Sequence, residues 1–111
     1  MNTLPYKVAA VSDGAGGFEP LIFDKSNLGF SPADTFSSVQ ISCSGLDGGL
    51  FEVLFKPRNA PDFISFIALA TEGDSVLLEN RFVFDAVKIV LSDCGAGAEP
   101  FVFPTFIKRS F

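Results

Sequence analysis

Apolar and polar residues alternate with a period of two along most of this chain, the pattern of strands that bury one face and expose the other. It is clearest in residues 36–44, where Val39, Ile41 and Cys43 alternate with Gln40, Ser42 and Ser44. Gly45-Leu46-Asp47-Gly48-Gly49 then offers the positive-φ residues that a hairpin connection needs. A second strand follows, with Phe51, Val53 and Phe55 on one face and Glu52 and Lys56 on the other. Pro57 lacks a ladder donor and ends that strand, making residues 57–62 a loop. Residues 63–71 are apolar and β-branched on both faces, which predicts a central strand covered on both sides.

Glu72-Gly73-Asp74 is the next turn, residues 76–78 form a short strand, and Asn80-Arg81 marks a sharp reversal. In residues 82–92 the apolar set runs Phe82, Phe84, Ala86 and then changes phase to Val87, Ile89, Leu91, which predicts a bulge at Ala86-Val87. Residues 93–100 are a glycine-rich turn. Phe101, Phe103, Thr105 and Ile107 alternate in the last strand, and Pro104 inside it predicts an edge position. Near the start, residues 6–12 and 18–24 flank Asp13-Gly14-Ala15-Gly16-Gly17 as a further hairpin, and residues 27–35 form an irregular crossover.

Seven to eight short strands with almost no helical periodicity define an all-β chain, an antiparallel sandwich or small barrel of jelly-roll or immunoglobulin-like type. Residues 18–111 make one β-sandwich domain, preceded by residues 1–17 as an extended arm or edge strand. At 111 residues the chain fits a single core and buries roughly 65% of its unfolded surface without metal or disulfide support. Fourteen phenylalanines suggest how that core is filled. With about eight of them inside, each contributing roughly 1.5 to 3 kcal/mol, packing outweighs any single polar contact.

Charge narrows the function. The net charge is −5 and the eight basic residues are scattered, only Lys108 and Arg109 being adjacent, so no basic stripe exists to follow a nucleic acid. The longest apolar stretch, residues 63–70, is far too short to span a bilayer as a helix. The N-terminal Met1-Asn2-Thr3-Leu4-Pro5 lacks the features of a secretory signal, and the expectation is synthesis in the cytoplasm. Two cysteines, Cys43 and Cys94, are too few for a disulfide scaffold; reduced, buried thiols are expected, with an oxidised pair left open should their strands be adjacent.

Catalytic chemistry finds little to work with. There is no histidine, which removes the common serine triad and the Cys-His pair. Neither glycine-rich segment is followed by the Lys-Ser/Thr and helix of a phosphate loop. No Asp-x-Asp series suggests calcium, and zinc lacks ligands. The expectation is a non-enzyme with no cofactor and no metal.

The stretch Val39-Gln40-Ile41-Ser42-Cys43-Ser44-Gly45-Leu46-Asp47-Gly48-Gly49-Leu50-Phe51-Glu52-Val53, followed by a proline-bearing loop, resembles segments of small β-sandwich accessory virion proteins of tailed bacteriophages. So does Phe82-Val83-Phe84-Asp85-Ala86-Val87-Lys88-Ile89-Val90-Leu91-Ser92 before its Gly-Ala turn. The resemblance covers about half the chain. It implies a non-enzymatic virion component, a capsid decoration or cement protein or a tail, baseplate or fibre part. Such a protein works as a homo-oligomer with other virion proteins as partners, and no catalytic residue carries over.

Two surfaces are candidates for those contacts: the N-terminal Leu4, Tyr6 and Val8, and the C-terminal Phe106 and Phe111. The alternative is an adhesion module for a glycan or cell surface, with its contacts on residues 13–17, 45–49 and 93–99.

Overall fold

The computed structural model describes residues 2–5, 7–24, 34–57, 60–79 and 84–110. These form nine strands: β1 Asn2–Pro5, β2 Val8–Ala9, β3 Leu21–Asp24, β4 Asp34–Ser44, β5 Leu50–Pro57, β6 Ile64–Thr71, β7 Val76–Glu79, β8 Phe84–Ser92 and β9 Phe101–Ser110. Two antiparallel sheets result, one ordered β1-β9-β4-β7 with β2 also on β9, the other β3-β8-β5-β6.

The pairings nest. β5 pairs with β6, β4 with β7, β3 with β8 and β2 with β9, as in one long antiparallel ribbon folded between β5 and β6. Wrapping that ribbon on itself brings β9 beside β4 and β8 beside β5 and closes two sheets over one core. This is the jelly-roll solution, and it distinguishes the fold from the immunoglobulin-like option.

Alternation sets which residues enter the core. Along β5 the burial switches residue by residue, with Phe51 and Val53 fully enclosed and Phe55 nearly so. Val87, Ile89 and Leu91 of β8 lie beside them in the same sheet, and Val39, Ile41 and Cys43 of β4 line the core from the other sheet. Each fully buried large side chain, such as Ile41, Leu46, Leu78 or Ile89, contributes about 1.5 to 3 kcal/mol.

Among the described residues the core is filled mainly by aliphatic side chains. Of the eight phenylalanines whose burial is described, Phe23, Phe51 and Phe55 are buried, Phe18, Phe63, Phe101 and Phe103 are half-buried and Phe66 is exposed. The interior of so thin a sandwich is filled by Val, Ile and Leu, whose branched side chains interlock across about 10 Å between sheets.

Several sequence expectations are corrected by the topology. β6 is an edge strand, not a central one. β9 lies inside its sheet, between β4 and the β1/β2 pair, although Pro104 predicted an edge. Pro104 pairs with Ile41 of β4. On the other side Thr105 is opposite Pro5 of β1 and Val102 opposite Val8 of β2, and Tyr6 between those strands lies outside the described residues. The core-facing residues of β9 are accordingly Val102 and Pro104, and Phe101 and Phe103 occupy the other face.

The expected hairpin of residues 6–24 is also divided. Only its tip closes, through the Ser12–Phe18 bridge and the Glu19 N–H donating to the Val11 carbonyl at 2.8 Å. β2 then joins one sheet and β3 the other. Asp34 and Thr35, expected in a crossover, open β4, and Pro57 is the last residue of β5. The β5–β8 register shifts between Lys56 and Pro57, where Ala86 and Phe84 are the partners, one residue before the predicted bulge. The Asn80-Arg81 reversal lies outside the described residues.

Candidate functional site

β6 carries the largest departure from ordinary burial. Ile64, Phe66 and Ile67 expose 52%, 45% and 39% of their surface and Leu69 exposes 73%. Leu77, on the edge strand β7 that follows through residues 72–75, is also exposed. Single exposed apolar residues are common on any protein; four within six residues of one edge strand are not.

The edge is irregular. Its register against β5 shifts between Phe51 and Val53 and again between Val53 and Leu54, so β6 bulges twice. Bulges interrupt the even row of N–H and C=O groups that would template another strand. What this edge offers is apolar side chains. Phe66 stays anchored to the core through an edge-to-face contact with Phe55, ring centroids 6.4 Å apart. Around the strip lie polar groups: the Ser65 hydroxyl donates to Glu52 at 2.9 Å, and the Lys88 ammonium sits 5.5 Å from the Phe63 ring.

The sequence assigned the contacts elsewhere. The structure places Leu4 of β1 opposite Phe106 of β9, which joins two of the predicted residues within one chain. Val8 pairs with Val102 and packs, half-buried, on the core. Tyr6 and Phe111 lie outside the described residues. The β6 strip was missed because lack of polar alternation was read as burial by the chain itself.

At one end of the sandwich the three loops proposed for glycan contact converge. Residues 12–18 share a hollow with Cys94 and residues 95–98, and residues 45–49 meet residues 95–99 across a second hollow with Glu72. Their polar groups are engaged in shaping the turns. Asp13 accepts from the Ala15 and Gly17 N–H groups at 2.7 and 3.1 Å. Glu72 accepts from the Leu46 N–H at 2.7 Å, and Asp74 from the Thr71 N–H at 2.7 Å. The Glu99 N–H donates to the Gly45 carbonyl at 3.1 Å. Asp47 and Asp93 adopt left-handed φ values of 51° and 55°.

The two thiols lie at this same end. Cys43 is only 3% exposed, and burial, then the nearby Cys94 and Glu72, push its pKa from 9.0 to about 12. Cys94 is half-buried and raised by burial and by Asp93. Both are free thiols. Among the described residues no group of three or more His, Cys, Asp or Glu is arranged to hold a metal, and no helix is long and apolar enough to cross a membrane.

No family model matches the chain, and no curated protein does. A solved structure does match in fold: a chain from the work described as "Bacillus endospore appendages form a novel family of disulfide-linked pili", at a TM-score of 0.50 and 18% identity. The match covers 99% of this chain and 86% of the pilus chain. The likeness is one of fold.

Proposed function

We propose that this protein is a non-enzymatic structural subunit that assembles in multiple copies, each burying its β6 strip against a neighbour. The observation that carries the reading is the set Ile64, Phe66, Ile67 and Leu69 on an edge strand. Removing such a contiguous apolar strip from water favours association at about 25 cal/mol per Å² before the cost of ordering is counted. A jelly-roll shared with a pilus protein supports a repeating assembly. The sequence resemblance to tailed-phage virion proteins would make that assembly a virion part, and the pilus likeness would make it a surface fibre. The interface chemistry is the same in both.

Light scattering and negative-stain microscopy of the purified chain test this. The wild type forms oligomers or filaments as its concentration rises. The double variant Ile64→Lys/Leu69→Lys, which alters only exposed positions, stays monomeric with an unchanged melting temperature. A wild type that remains monomeric at millimolar concentration, or a variant that assembles equally well, refutes the reading.

A further inference from the structure

We infer that Cys43 and Cys94, free thiols in this structure, join on oxidation in an intramolecular disulfide that ties the two sheets together at the loop end of the sandwich. Cys43 is the second-last residue of β4, and its side chain, like those of Val39 and Ile41, points into the gap between the sheets. Residues 93–100 carry the chain from β8 in one sheet to β9 in the other, and β9 is the strand that holds Cys43's partner Val102. Cys94 is the second residue of that crossing and packs on the core cluster to which Cys43 belongs.

Gly49 leaves room for Cys94 at this end of the core. It is buried, and a β-carbon there would stand 2.7 Å from the Cys94 sulfur and 2.8 Å from the Cys94 Cα. The glycine therefore lets the Cys94 backbone and thiol settle inward over the end of the core. Besides burial, the nearby Cys94 raises the Cys43 pKa.

The two differ in access, and this orders the chemistry. Cys94 is half-exposed and Cys43 is enclosed. With a small-molecule disulfide such as oxidised glutathione as oxidant, the Cys94 thiolate attacks one sulfur, forming a mixed disulfide and releasing one glutathione thiolate. The Cys43 thiolate then attacks the Cys94 sulfur, forming the Cys43–Cys94 bond and releasing the second glutathione. The two protons lost by the cysteines end on the two glutathione thiols, and the two electrons reduce the oxidant. Because both thiol pKa values are raised, the reaction is slow near neutrality and quickens with alkalinity.

The test is incubation of the full chain with oxidised glutathione at mildly alkaline pH, followed by intact mass, thiol alkylation and non-reducing peptide mapping. The expected product is a monomer two hydrogens lighter, with no alkylatable thiol and one cross-linked peptide pair containing Cys43 and Cys94. The bond closes a loop of about 50 residues, so its melting temperature rises by on the order of 10 °C and returns on reduction. Cys94→Ser, at the more accessible site, folds normally, gains no glutathione and shows no rise. A glutathione adduct that persists on Cys94 with Cys43 still free would overturn the inference, as would a disulfide between two chains.

Discussion

Replacing Gly45 with alanine separates two costs that glycine hides in this fold. Gly45 has φ +72°, and a β-carbon there would collide with the Glu99 carbonyl oxygen and lie 3.0 Å from its carbonyl carbon. Gly48 has φ +84° but nothing within 4 Å of the same position. Gly48→Ala therefore measures the left-handed backbone cost alone, about 1 kcal/mol. Gly45→Ala adds the displacement of the Glu99 carbonyl and weakens the Glu99 N–H to Gly45 carbonyl bond, for a total of roughly 3 kcal/mol.

With a urea slope of about 1.5 kcal/mol/M for a domain of this size, the unfolding midpoint falls by roughly 2 M in Gly45→Ala and by under about 1 M in Gly48→Ala. Urea titration followed by circular dichroism reads both. If the two variants agree within about 0.5 kcal/mol, the tight approach of the 45–49 and 93–100 loops is not a real constraint and the packing argument for this end fails.

Two further outcomes follow from the core. Phe51→Ala empties a fully enclosed site and costs about 3 to 5 kcal/mol in urea or thermal melts, whereas Phe66→Ala, half in solvent, costs under about 1.5; equal losses would contradict the assigned burial. In the reduced protein, the Cys43 thiol ionises from about pH 9 when unfolded but only near 12 when folded. The unfolded chain thus releases its proton first, and this contribution to stability, complete below pH 9, is lost between 9 and 12. Urea midpoints measured at pH 8 and 10.5 should fall further for wild type than for Cys43→Ala, and parallel declines would show that the thiol is not buried in the way described.

The strands themselves were legible because a period of two is a local property: Val39, Ile41, Cys43 and Phe51, Val53, Phe55 face inward wherever their strand ends up. The glycine and aspartate turns at residues 45–49 and 93–97 were equally local, since positive φ depends on the residue's own sterics. Lateral order was not. Hydrophobicity states that residues 64–71 are to be covered and does not say by what. The nested ribbon leaves β6 on an edge with Ile64, Phe66, Ile67 and Leu69 exposed.

Pro104 misled for a related reason. A missing donor was read as the mark of a sheet edge, yet the wrapped ribbon sets β9 between β4 on one side and β1 and β2 on the other. The candidate surface thus came from the tertiary structure alone. The sequence determined which residues avoid water and where the chain turns; only the wrapping of the whole ribbon decided which of those residues the chain could cover by itself.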